Sequence, residues 1–496
     1  MDSVASPGSA AHQPRTLLAY LGLGIFLLAL CVYLLALRTN FGYDGQMMYR
    51  VTDSLVLRHS FRVVDPVWHM NEPYTYFGLA VSLLLVPIYW LGQLLQHDGN
   101  RFIVLYEPAV TALTAVTLYA FARDLGASYR RSLAISLAYA FGSLAWYYST
   151  AIFTEPLVAA TLTGALFWLR KYGRTRQGLW LLLAGSAVSL SLLARWDSAL
   201  LVVVPISLYA LVHVWRRTSM LWSRVASLTL YAAPIVMGLA VDLWYDWIRY
   251  GDPFNLGPRA QFGGAFTTPL PTGLYGLLFS PGVGLFVYVP LLALAAAAFP
   301  AFWRRWRPEA VLILFLFGLR LVVYAQWSYW DGREWGPRFL VPVLPLLMLV
   351  LVACPRGVRW RIAGIVLGGT GVAIELLGQV VPFDTIVWPS TAPLVVSMFH
   401  LHDAAGSSCL CSRVVDQAAA TVMDFNLRFA PLVRQVVLLR RGSIDPAWQS
   451  MWPALSTLLV LAGGGALSLW RAALRLDGVG GSLEPFAGAP RSERAA

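Results

Sequence analysis

The sequence predicts an all-α polytopic membrane protein, a bundle of about 12 transmembrane helices with a helical first external loop. Three observations carry this expectation. Of 496 residues, 58% are hydrophobic and only 12% are charged, where soluble domains carry about 25% charge. The apolar residues gather in runs of roughly 20, the length a helix needs to cross a ~30 Å hydrocarbon core. Between those runs, basic residues recur in short clusters on every second loop.

Residues 1–14 are small and polar, with proline and glycine, and read as a disordered leader. The first run, 16–37, has no small-residue cleavage site and reads as an uncleaved anchor. Further spans are expected near 102–121, 132–148, 155–169, 179–194, 198–215, 225–247, 284–302, 310–326, 338–354, 361–381 and 453–470. The main module is then 15–381, followed by a long loop 382–452, the last span, and a polar tail 471–496.

The clusters Arg123/Arg130/Arg131, Arg170/Lys171/Arg174/Arg176, Arg216/Arg217/Arg224, Arg304/Arg305/Arg307 and Arg356/Arg359/Arg361 mark their loops as cytoplasmic by the positive-inside rule. Loops 149–155, 195–197, 248–283, 327–337 and 382–452 then face outward, and both termini lie inside. For that parity to hold, 38–101 is one external segment. Its apolar stretch 76–96, interrupted by Pro87, lies along or dips into the outer surface. Lys171 is the only lysine, and the arginine- and alanine-heavy composition fits a GC-rich bacterium, hence its inner membrane.

Composition also excludes some functions. The net charge of +12 comes from loop clusters, with no basic face interleaved with aromatics, so no nucleic-acid partner is expected. There is no glycine-rich phosphate loop with its lysine, no H-E-x-x-H, and no Ser/His/Asp set. Of the four cysteines, Cys409 and Cys411 form a C-x-C without the further ligands a metal site needs, so no metal ligands are assigned.

The outward side collects ionisable residues, which are costly near membrane depth and usually functional there. Asp44, between Gly42 and Gly45 just past the first span, can take a proton from an acceptor hydroxyl; it also reads as a helix cap. Glu155, in Thr154-Glu155-Pro156, reads either as a helix start or as a second carboxylate of a site. Arg195-Trp196-Asp197 is a very short turn in which Arg195 either pairs with Asp197 or binds phosphate through its planar fork. The stretch 326–340, QWSYWDGREWGPRFL, is dense in aromatics and charge, and Tyr329, Arg333 and Arg338 are assigned to phosphate or sugar recognition. His69, in the first external segment, is assigned with them.

Together these features resemble the GT-C superfamily of polytopic glycosyltransferases, in particular bacterial relatives of protein O-mannosyltransferases and the lipid A aminoarabinose transferase. The similar features are the early acid in Tyr43-Asp44-Gly45-Gln46, the apolar juxtamembrane stretch 78–92, Thr154-Glu155-Pro156, and G-P-R-F-L-V-P-V-L-P at 336–345. Where the family usually carries an acidic pair in the first loop, Gly45 follows Asp44 here. The resemblance implies a polyprenyl-phosphate sugar as donor and co-substrate, and a glycan, lipid or protein hydroxyl as acceptor. It also implies inverting transfer with Asp44 as base, Arg195 and Arg338 on the departing phosphate, and Glu155 orienting the acceptor or a metal. The competing reading is a transporter or flippase of lipid-linked sugars, which needs charge at span midpoints; Glu107 and Glu375, each inside an apolar run, are the residues that fit it.

Overall fold

The computed structural model describes residues 9–36, 42–63, 73–96, 99–255, 266–381, 421–442, 444 and 446–480. Among them every regular element is a helix. His69, Cys409 and Cys411 lie outside the described residues. Each expected span falls on helical structure. Among the described residues five helices are both long and apolar enough to cross a membrane: Leu79–Gln96, Ala199–Arg217, Leu221–Tyr250, Arg307–Gln326 and Val358–Val380.

Some expected spans are broken, and the sequence shows why. The stretch near 132–148 is two helices, Tyr129–Phe141 and Ala145–Tyr148, parted at Gly142. The stretch near 284–302 breaks at Val289-Pro290, where proline cannot extend the preceding helix, and resumes as Leu291–Arg305. The segment Arg338–Val343, with Pro342 inside it, is wound tightly as a 3-10 helix before Leu344–Leu349 relaxes to α.

Two ends of the bundle are defined by long-range contacts. The Thr154–Thr175 helix, 22 residues, runs about 33 Å at 1.5 Å per residue. At its far end Asp124 accepts from Arg170 at 2.7 Å and Arg174 at 3.0 Å, and Arg170 also reaches Glu309. Arg131 donates to the Val352 carbonyl at 2.9 Å, and Arg130 pairs with Asp477 on the last helix at 2.9 Å. Four of the arginine-marked loop regions and the C-terminal helix end therefore share one end. Glu155 stands at the other.

The helices that carry the site approach closely. Gly185 lets Gly178–Ala194 lie against Leu221–Tyr250: a Cβ there would stand 2.1 Å from the Tyr231 carbonyl oxygen. Small residues at helix contacts do this commonly in membranes, where lipid tails supply no hydrophobic drive and packing must. The loop after Arg307–Gln326 is anchored by Trp335, fully buried, which stacks on Tyr147 at 5.6 Å and meets Tyr288 edge-on at 4.8 Å. Tyr148 donates to the Trp335 carbonyl at 2.9 Å.

Candidate active site

Four segments far apart in sequence meet at the Glu155 end of the bundle. The Thr154–Thr175 helix begins after Phe153, whose extended backbone sets the turn, and Glu155 lies in its first turn with Pro156 behind it. Gly178–Ala194 ends at Arg195, which is extended (φ −149°, ψ 131°) and so swings away from the helix axis. Gly336 takes φ +62°, a left-handed conformation suited to glycine, and turns the chain into Pro337-Arg338. Gly42–Arg58 is a helix carrying Asp44 in its first turn. The helix starts at Gly42, ahead of Asp44, so Asp44 is not its cap; within the first turn the carboxylate complements the helix dipole.

The geometry is a lattice of carboxylates and guanidinium groups. Glu155, with a fully buried side chain, accepts on Oε1 from Arg195 Nη1 at 2.7 Å and from Arg338 Nε at 2.8 Å. Arg338 uses Nη2 to hold Asp44 Oδ2. Arg195 also donates from Nη1 to Thr154 Oγ1 at 3.0 Å, from Nε to Asp197 Oδ1 at 3.0 Å, and from Nη2 to the Tyr324 hydroxyl at 2.8 Å. Tyr324 in turn donates to Asp197 Oδ2. Arg195 and Asp197 therefore do pair, and the pair belongs to the larger cluster.

Aromatic rings frame the charges. The Arg338 guanidinium lies 4.8 Å from the Phe153 ring centroid, and that of Arg195 lies 5.7 Å from Phe339, which stacks on Tyr324 at 4.2 Å. Such faces favour a cation while shielding it from water. Tyr43 and Tyr76 are hydrogen-bonded to one another beside Asp44. Burial lifts the Asp44 carboxyl above the ordinary aspartate value, although Arg338 opposes the rise. At Asp197 the balance goes the other way: burial would raise it, but Arg195 and then Arg320 hold it below the ordinary value.

Asp44, Glu155, Arg195 and Arg338 are thus brought together. Arg333 and Tyr329 contact one another, the guanidinium 5.1 Å from the ring centroid, and the Arg333 charge acts on Asp331 and Asp424. Sequence reasoning missed Tyr324 and Arg320, both inside an apolar run, and Phe153, Phe339 and Tyr76. Glu107, flagged as a midpoint charge, accepts the Phe153 backbone N–H at 3.0 Å and so ties down the start of the Glu155 helix. Among the described residues no group of three or more His, Cys, Asp or Glu side chains could hold a metal ion.

The turn that carries Arg195 is closely backed. A Cβ on Gly78 would stand 2.3 Å from the Leu193 carbonyl oxygen and 2.6 Å from that of Ala194. Backbone cannot yield as a flexible side chain would, so Gly78→Ala should displace Arg195 by a fraction of an ångström. A misplacement of about 1 Å costs roughly 10²-fold in a positioned reaction; we expect a ~10–100-fold loss of activity with the protein still folded, checked by turnover alongside thermal unfolding.

Comparison with known proteins adds the following. Residues 101–248 match the family model for dolichyl-phosphate-mannose-protein mannosyltransferase. No curated protein matches the chain. Among solved structures, ArnT from Cupriavidus metallidurans in the apo state is similar at 16% identity and TM-score 0.46, with 95% of this chain and 78% of that one covered. The same protein bound to undecaprenyl phosphate gives 16% identity and TM-score 0.47, with coverage of 93% and 77%. The Archaeoglobus fulgidus oligosaccharyltransferase in the apo form gives 12% and 0.45, with coverage of 79% and 60%. The family match falls on the stretch that carries Glu107, Glu155, Arg195 and Asp197.

Proposed function

We propose that the chain is a glycosyltransferase that moves a sugar from a polyprenyl-phosphate carrier to a hydroxyl acceptor, with inversion, at the extracytoplasmic face of a bacterial inner membrane. One observation carries this: two arginines with planar donor forks converge on one oxygen of Glu155, and the second of them also holds Asp44. Guanidinium forks match phosphate oxygens in the same bidentate way that they match carboxylates. The family model supports the donor class, since its name specifies a lipid-phosphate mannose and a protein acceptor. The acceptor here is a glycan, a lipid or a protein.

In the reaction Asp44 takes the proton of the acceptor hydroxyl, whose oxygen forms a bond to the anomeric carbon. The bond from that carbon to the phosphate oxygen breaks, and the lipid phosphate leaves with the electron pair. Arg195 and Arg338 stabilise the charge that develops on it. The transition state is oxocarbenium-like, as in other glycosyl chemistry. No cofactor beyond the lipid-linked donor enters the scheme. The arginine-rich end of the bundle is taken as cytoplasmic, with both termini, and the Glu155 end as extracytoplasmic.

The test is turnover of polyprenyl-phosphate sugars by the purified full-length chain, with the anomeric configuration of the product read by NMR. Inversion is expected; retention would overturn the single-displacement scheme, and movement of the lipid across vesicles without transfer would favour a flippase. The rate should also fall on acidification. Asp44 must be ionised to act, and its carboxyl titrates above the ordinary aspartate range, so the acid limb of kcat/KM should lie above that range as well. A limb at the ordinary value would count against Asp44.

A further inference from the structure

Arg320 sits in the apolar Arg307–Gln326 helix with its side chain fully buried. A guanidinium at such a place is expensive and calls for a function. Its Nη1 donates to the Phe339 carbonyl at 3.2 Å and stands 3.9 Å from Asp197 Oδ2. Its Nε and Nη2 meet no hydrogen-bond partner among the described residues. One helical turn on, Tyr324 bridges Arg195 and Asp197. Arg320 therefore backs both front arginines, Arg195 through Asp197, and Arg338 through the backbone of its neighbour Phe339.

Charge gives this arrangement a purpose. Asp44, Glu155 and Asp197 are matched by Arg195, Arg338 and Arg320, and Glu334 adds negative charge near Arg338. Without Arg320 the cluster becomes one charge more negative and repels an incoming phosphate more strongly. We propose that Arg320 is a positioning residue that neutralises Asp197, so that the charge of Arg195 remains available to the donor phosphate. The proposal rests on the lipid-phosphate reading above. It assigns a role to a residue that touches no substrate.

The experiment measures binding of sugar-free polyprenyl phosphate to the full chain in nanodiscs, with steady-state transfer alongside. Arg320→Met should weaken binding about 10–100-fold, raising the donor KM while kcat stays within about threefold. Adding Asp197→Asn should bring binding back to within about threefold of wild type, because the original charge balance is restored. A purely structural arginine predicts the reverse, a double variant no better than the single, and that result overturns the proposal. So does Arg320→Met binding like wild type. Should Arg320→Met fail to fold, Asp197→Asn alone decides: binding tightens if charge governs, and weakens or stays unchanged if it does not. A wild-type chain that binds no polyprenyl phosphate overturns the donor reading itself.

Discussion

Asp44→Asn should lower sugar transfer by about 10²–10⁴-fold, the usual worth of a positioned general base, while polyprenyl phosphate binds more tightly. The second half follows from the geometry. In the resting site Arg338 is held by Asp44 on one side and by Glu155 on the other. A phosphate must draw Arg338 from one of these carboxylates, and Asp44, with 13% of its side chain exposed against none for Glu155, is the one it can reach. Asparagine fills the same space without competing for the cation. Equilibrium binding should tighten about 3–30-fold, since charge-assisted bonds are roughly twice as strong as neutral ones. Donor binding would thereby also release the base at the moment it is needed. Full residual turnover would remove Asp44 from its role, and weakened binding would make it a donor ligand.

Arg338→Met should be the most disruptive single change in stability. It leaves Glu155 buried with one cation fewer and Asp44 with none of its present contact to Arg338. Breaking a buried ion pair from one side costs about 3–5 kcal/mol, read as a lowered thermal midpoint in detergent, and transfer should be lost. Glu155→Gln in the same chain should recover most of the stability and none of the activity. Arg338→Lys separates charge from shape. A lysine keeps the charge but, as a point donor, cannot serve Glu155 and Asp44 in the same fork. It should fold nearly as well as wild type and show a raised donor KM.

Much of the fold was legible because membrane helices announce themselves by length and apolarity, and because breaks such as Val289-Pro290 follow from proline chemistry. The front of the candidate site was legible for a related reason: Asp44, Glu155, Arg195 and Arg338 are charges at the edges of apolar runs, where charge is conspicuous. Arg320 was not. It sits within G-L-R-L-V-V, its carboxylate partner lies 123 positions earlier, and no local spacing connects them. Tyr324 was hidden likewise, since an aromatic near a span end usually serves as an interfacial anchor. Arg333 is as charged as Arg338, but only the latter follows the left-handed turn at Gly336 and lies against Glu155.

Just beyond Asp197 the chain opens into a π turn, Ala199–Val203, before continuing as the Val204–Arg217 helix. Such single wide turns often occur at functional sites, and this one works as a phase adjuster. Excising any one of its five residues would let ordinary α winding resume, rotating everything upstream by about 100° relative to the helix below. Asp197 would then point away from Tyr324, and Arg195 would lose its clamp without any change of chemistry. The alignment of this corner is thus written in backbone arithmetic, and a one-codon deletion there should silence the protein as thoroughly as discarding a charged group.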